Sequence, residues 1–393
     1  MNALILSLLL ATASPTYGPA ENAAVFDRAW SLVDSHYWDR ARRGSDWAAA
    51  RARFRPRAIA APDGRALYAV IREMLATLGD SHVYADDPAS VRFDTAREGG
   101  EHGGFGFATA EADGGWQVFA VQPDSPAAAA GVQIGWRLTS VNGRPPRTDY
   151  HPAAGEAANL VFTDETGRSH ALRLTGALLP PAPDRRATLL PGRVLLIGLD
   201  GFDGRPDRWI ADEIAAAQPA ALILDLRENY GGEAVSVARV AGGLFTQRQT
   251  LLRRIGRKGP LDVPTLGAGR RAYAGPLAIL VGPRTASGAE AIAAAVEESG
   301  RGITIGQRTA GALTGAARFE LPDGGELSVA EFDIRTPGDH RLEGVGFTPR
   351  YIVDPGFAAL RAGRDPAVER ALALLTAGTG AYAPGGNSTR SPR

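Results

Sequence analysis

The 393-residue sequence contains no cysteine. Disulfides, thiolate metal sites, iron–sulfur clusters, a cysteine nucleophile and lipid attachment through an N-terminal Cys are thereby excluded. Lysine is nearly as scarce. Lys258 is the only one, every other basic side chain bar six histidines being arginine, and this removes most lysine-based mechanisms. A surplus of either charge is also missing, with 43 Lys+Arg against 43 Asp+Glu, which argues against a dedicated nucleic-acid binder. Long apolar runs are missing too. Leu4–Ala13 is apolar but only ten residues long, where a membrane-spanning helix needs roughly 20. Its Ala11-Thr12-Ala13 end has the small-x-small shape of a cleavage site, although no Lys or Arg precedes it. Residues 1–20 are therefore expected to be the signal peptide of an exported protein, periplasmic or secreted, with no integral membrane span. With neither an H-E-x-x-H motif nor a P-loop, no metal or cofactor is expected. What is present, 44% apolar and 22% charged residues, is the balance of an ordinary globular chain with room for two or three domains.

Patterning divides the rest of the chain. Residues 21–92 read as a helical domain: Leu67, Val70, Ile71, Met74, Leu75 and Leu78 recur at helical spacing, as do Phe26, Trp30 and Val33, and Gly79 closes the later helix. Residues 98–178 change to short alternating runs between Gly, Asp and Pro, which predicts a small β-rich module. Pro180-Pro181-Ala182-Pro183 reads as a stiff linker. Residues 186–377 alternate strands (Val194–Leu199, Ala220–Leu226, Leu277–Val281, Ile303–Ile305) with helices (Arg208–Ala217, Glu233–Phe245, Gly288–Glu298). Phe357–Leu375 is expected to be a closing helix. This alternation predicts an α/β domain of layered sheet and helices. Residues 378–393 have the composition of a disordered tail.

Four stretches could carry chemistry. In Leu222–Gly232 (LILDLRENYGG) a buried strand runs into Gly231-Gly232, whose backbone N–H groups can face a ligand at a helix N-terminus. In Leu280–Ile292 (LVGPRTASGAEAI) Ser287 starts a helix. A serine there is ordinarily an N-cap, yet it is also where a nucleophile is exposed, with the Gly288 N–H next to it for an oxyanion. Thr285 replaces the first glycine of a G-x-S-x-G elbow. Gly79–Tyr84 (GDSHVY) carries Ser81 and His82 at a helix exit. Leu342–Pro349 (LEGVGFTP) carries Glu343 before a glycine turn. Read singly, a hydrogen-bonded histidine and a solvated carboxylate are the ordinary readings of the last two.

In order and spacing these strings resemble the C-terminal processing (tail-specific) serine peptidases and their relative, tricorn protease. The resemblance runs through roughly residues 186–355, including GRGITIGQRTAG, and GDSHVY extends it upstream. It implies a crotonase/ClpP-like catalytic core of strand-strand-helix units and a polypeptide substrate. The β module resembles a PDZ domain: Gly104-Phe105-Gly106-Phe107 stands at its G-x-G-F carboxylate-binding loop, followed by Ser125-Pro126-Ala127, Ala130-Gly131-Val132 and Val141-Asn142-Gly143. Trp136 departs from the usual Asp. Such a module captures a chain end as an added strand.

Two subclasses differ in their base. In one, a lysine follows the nucleophilic serine; the aligned position here is Ala312, so that dyad is ruled out. The tricorn-like subclass uses a Ser-His-Ser-Glu tetrad, and Ser81, His82, Ser287 and Glu343 match it position by position. The resemblance then implies Ser287 as nucleophile, His82 as base, and Glu343 acting through Ser81. Amides of Gly288, Gly231 and Gly232 would form the oxyanion hole. Adjacent residues point to opposite faces of a strand, so Ser81 and His82 can share a site only if the backbone bends there. Two other readings stay open: a non-catalytic peptide-binding protein on a degenerate peptidase scaffold, and an esterase using Gly167-Arg168-Ser169-His170-Ala171.

Overall fold

The structure is a computed structural model that describes residues 17–92, 102–112, 115–146, 152–180, 184–266, 269–354 and 356–377. The expected signal sequence up to residue 16, most of the linker and the expected tail lie outside the described residues. The chain forms two compact units.

The smaller unit comprises Met1–Gly79, Val83–Arg92 and Ala316–Val329. Its helices are Pro19–His36, Trp47–Ile59 and Gly64–Ala76. Pro19 enters at a position where its missing N–H costs nothing. Asp46 and Asp63 cap the other two through Ala49 N–H (2.9 Å) and Ala66 N–H (2.8 Å). Phe26, Val33, Leu67, Ile71 and Met74 fill the core, as their helical spacing predicts. The sequence boundary at residue 92 misses one feature. Tyr84 pairs with Ser328 and Asp86 with Glu326 in an antiparallel ladder, which draws Ala316–Val329 out of the expected catalytic segment into this unit.

The larger unit comprises Asp80–His82, Phe93–Gly315 and Ala330–Arg393. Its main sheet has the order Tyr351–Ile352, Ile303–Gly306, Leu277–Val281, Ala221–Asp225, Val194–Leu199, Arg185–Leu190. All neighbours are parallel except the last pair. Strands buried on both faces read as continuous apolar runs. Leu222, Leu224, Ile279 and Val281 pack one face with the helices Ala234–Leu244 and Gly288–Glu298. Ala221, Ile223, Ala278 and Leu280 pack the other with Pro366–Ala377. The expected closing helix is broken into Phe357–Arg361 and Pro366–Ala377: Gly363 turns left-handed at φ +76°, and Pro366 can only begin a helix. A hairpin absent from the sequence reading, Thr250–Gly256 with Gly259–Pro264, carries Lys258 at its turn.

Within the same unit the β module is an antiparallel meander. Phe107–Ala112, Gly115–Val121, Arg137–Val141, Ala157–Thr163 and Ser169–Thr175 lie side by side in that order. Among the described residues, Phe107–Ala112 is therefore an edge strand. Val118, Ala127, Leu160 and Phe162 form the core. Trp136 stacks on His170 (centroids 4.1 Å apart), and His170 Nε2 pairs with Asp164 Oδ2 at 2.8 Å. The histidine of the esterase reading is thus spent on fixing a hairpin.

Candidate active site

Every residue of the candidate site belongs to the larger unit. The strand Leu277–Val281 ends in a turn in which Thr285 N–H donates to Gly282 O at 2.9 Å. Thr285 is fully buried; its hydroxyl accepts from Gly282 N–H (2.9 Å) and donates to Leu226 O (2.7 Å). A glycine there would lose both bonds, which gives this departure from the G-x-S-x-G pattern a physical reason. Ser287 then sits at φ +53°, ψ −122°, a backbone conformation that costs a non-glycine residue about 1–3 kcal/mol and persists only where neighbours impose it. They do so here. Ser287 N–H donates to Ala312 O (2.8 Å) and Glu290 Oε2 (3.1 Å), and Ala286 N–H donates to Asn229 O (2.9 Å).

Glu290 is a residue the sequence reading missed. Fully buried, it accepts from Gly311 N–H and Ala312 N–H, both at 2.9 Å, and from the Thr309 hydroxyl as well as from Ser287. Burial pushes its carboxyl above the usual range, against those hydrogen bonds. The signal was present: Ser287-x-x-Glu290 has the spacing of a capping box.

The second cluster forms where the chain bends. Gly79 takes φ +57°, and Ser81 and His82 lie in a turn rather than a strand, so both side chains reach one carboxylate network. Ser81 N–H donates to Glu343 Oε1 (2.7 Å), the Ser81 hydroxyl donates to Glu343 Oε2 (3.0 Å), and Ser81 Oγ lies 2.9 Å from His82 Nδ1. A serine hydroxyl has one proton. With that proton on Glu343, the contact to His82 requires Nδ1–H as donor and leaves Nε2 with its lone pair. Buried Glu343 also accepts Leu313 N–H at 2.8 Å. Burial lowers the pKa of His82, opposed by the carboxylates of Glu343 and Asp80, so the imidazole is neutral and able to accept a proton near pH 7. Asp80 Oδ1 fixes the turn by accepting His82 N–H at 3.1 Å.

Ala312 and Leu313 join the two clusters. Ala312 holds Ser287 and Glu290 through its backbone, and Leu313 N–H holds Glu343. Gly231 closes the other side. A Cβ on it would lie 2.7 Å from Ser287 Cβ, 3.1 Å from Ser287 Oγ and 3.2 Å from Gly288 N, so only glycine fits. Its own N–H donates to Asn229 Oδ1 at 2.8 Å. Among the described residues, by contrast, no hydrogen-bond acceptor is met by Gly288 N–H or Gly232 N–H. Of the three amides expected for an oxyanion hole, Gly231 is thus already engaged and the other two are available.

The Gly104–Phe107 loop stands apart from this network. Phe105 is a core side chain, Gly106 turns at φ +83° against Ser125, and Phe107 opens the edge strand. Arg284, in the turn before Ser287, donates to Thr109 O of that strand at 3.1 Å. None of the helices among the described residues is long and apolar enough to cross a membrane.

Comparison with known proteins gives the chain's relatives. The model for Peptidase family S41 matches residues 193–353, and that for the Tricorn protease C1 domain matches residues 19–76. The chain is 28% identical over 390 residues to a carboxyl-terminal-processing protease of Picosynechococcus sp., covering 92% of each protein. It is 26% identical over 398 residues to tricorn protease homolog 1 of Streptomyces coelicolor, covering 91% of this chain but 35% of that one. The solved photosystem II D1 C-terminal processing protease shares the fold, with a TM-score of 0.66 at 24% identity over 85% of this chain and 94% of that one. The match to peptidase family S41 thus spans residues 193–353, and the protein is a serine-type peptidase with carboxyl-terminal-processing and tricorn relatives.

Proposed function

We propose that this protein is an exported endopeptidase that cleaves polypeptides through an acyl-enzyme formed on Ser287. The carrying observation is the directed chain Glu343–Ser81–His82, which leaves the imidazole Nε2 unprotonated. His82 takes the Ser287 proton as Oγ attacks the scissile carbonyl. The tetrahedral oxyanion is received by the N–H groups of Gly288 and Gly232, with Gly231 N–H recruited only if Asn229 releases it. The imidazolium, its charge stabilised by Glu343 across Ser81, then gives the proton to the leaving amine. Water repeats the sequence to release the acyl group. The strained Ser287 backbone places Oγ at the carboxyl end of a central strand, in a layered core that we read as crotonase/ClpP-like. We read the β module as PDZ-like. A substrate C-terminus would add to the edge strand Phe107–Ala112, its carboxylate at the Gly104–Phe107 loop.

In Ser287→Ala, hydrolysis of an unfolded protein substrate should fall by several orders of magnitude while the melting temperature holds. His82→Ala should match it, and the double variant should be little worse than either, because the two act as a unit. Ala312 at the lysine position of the other subclass favours a second reading, a non-catalytic peptide binder. Undiminished peptide binding together with no turnover by the unmodified protein would establish that reading instead.

A further inference from the structure

A cavity of about 830 Å³ opens between the helices Pro206–Ala217 and Ala234–Leu244 and the segment that follows the Thr250–Pro264 hairpin. No residue of the candidate active site lines it. Its floor is hydrocarbon, from Ile210, Ile214, Val240 and Leu244, and Leu266 on its wall is 46% exposed. Arg208, Arg239, Arg248 and Arg271 stand around it, and among the described residues none of the four has a carboxylate within ion-pair distance. Some arginines elsewhere in the unit are held in close ion pairs, Arg227 with Asp225 and Asp365 at 2.6 and 2.7 Å and Arg341 with Asp333 at 2.8 Å. Arg205 and Asp207 also line the cavity, paired at 3.0 Å, and Asp207 attracts Arg239 as well, so five arginines face one carboxylate around a concave apolar surface and the surplus positive potential is one that an anion relieves.

Much of the wall's backbone is already spent. Thr265 N–H, Leu266 N–H and Tyr273 N–H already donate to the carbonyls of Gln249, Ala238 and Gly243 at 2.8–2.9 Å, and the two helices satisfy their own backbones. The volume falls in the usual range of small-molecule sites, about 300–1,000 Å³. We propose that this cavity binds an amphipathic anion, an acyl chain with a carboxylate or phosphate head, the head on the arginine rim and the tail on the Ile210–Leu244 floor. A free fatty acid and an anionic lipid share this chemistry.

The test is calorimetric titration of the full chain with laurate, decanoate, dodecanol and dodecyltrimethylammonium, each below its micellar concentration. One laurate should bind, about tenfold or more tighter than decanoate, which has two fewer methylenes to bury. Dodecanol should bind at least tenfold more weakly, and the cation not at all. Arg208→Ser/Arg239→Ser should weaken laurate roughly 100-fold. Ala211→Trp, at an exposed position on the cavity wall, should block binding with no change in melting temperature. Co-sedimentation with phosphatidylglycerol vesicles that both variants abolish would identify a lipid as the source; laurate binding without vesicle retention would identify a free fatty acid. Equal affinity for laurate and dodecanol, laurate binding undiminished in both variants, or binding of an acidic peptide but not of laurate would overturn the proposal.

Discussion

Glu290→Gln probes how the strained nucleophile is held. One carboxylate oxygen takes Thr309 and Gly311, the other takes Ser287 N–H and Ala312 N–H. The amide keeps one oxygen and turns an NH2 group toward the remaining donors. Two buried N–H groups then lose an acceptor, at about 1–3 kcal/mol each. Ser287 keeps its 2.8 Å bond to Ala312 O, so the lower half of the resulting 2–6 kcal/mol span is expected, roughly 3 kcal/mol. For a unit of this size that is a fall in melting temperature of about 6–12 °C. With one of its two restraints gone, Ser287 relaxes from φ +53°, and a misplacement of about 1 Å costs about 10²-fold in kcat with KM nearly unchanged. Glu290→Asp, one methylene short, should not restore the rate. Sign matters for the pH dependence. The folded carboxyl has a raised pKa, so it contributes stability below the ordinary value of about 4.3 that is lost as pH rises through the raised one. Glu290→Gln should flatten that window. Differential scanning calorimetry from pH 4 to 8, with turnover measured on the same preparations, reads both effects. Unchanged melting temperature and kcat would refute the idea that this carboxylate holds the nucleophile.

Because burial lowers the His82 pKa and the neutral ring is the base, kcat/KM should rise with pH along a limb centred below the ordinary imidazole value of about 6.5. Glu343→Gln removes a charge that raises that pKa, so the limb should move to lower pH while kcat drops, and a shift to higher pH would contradict the assignment. In Gly231→Ala the new Cβ would meet Ser287 Cβ at 2.7 Å on a backbone at φ +101°, and a fall in kcat of about 10²-fold or more is expected in steady-state assays. If the Gly104–Phe107 loop captures a chain end, amidating a peptide's C-terminus should weaken its binding to Ser287→Ala about 10- to 100-fold. Equal affinities by calorimetry would make the module a brace.

Period and punctuation make the parallel core legible in the sequence. Val194–Leu199, Leu277–Val281 and Gly288–Glu298 fall where apolar runs and a serine start predict them. Long-range pairing was not legible. The ladder that joins residues 84–86 to 326–328 links segments some 240 positions apart, and nothing local in either strand encodes its partner. At the proposed site, Ser81, His82 and Glu343 are proposed only on a family pattern, since each alone has an ordinary structural explanation. The sequence could not reveal that Asn229 would take the Gly231 amide, because that depends on a turn whose geometry is set by Leu199 and Ala286. Glu290 was visible as a capping residue; its three further donors come from residues 309–312 and required the fold.

The central claim is that Ser287 is a nucleophile activated by His82. Intact-mass and peptide mapping after reaction with a fluorophosphonate at pH 7.5 tests it most directly. The account predicts a single adduct on the peptide carrying Ser287, none in Ser287→Ala, and labelling slowed by several orders of magnitude in His82→Ala. An adduct that persists in Ser287→Ala, or wild-type protein that remains unlabelled, would contradict it.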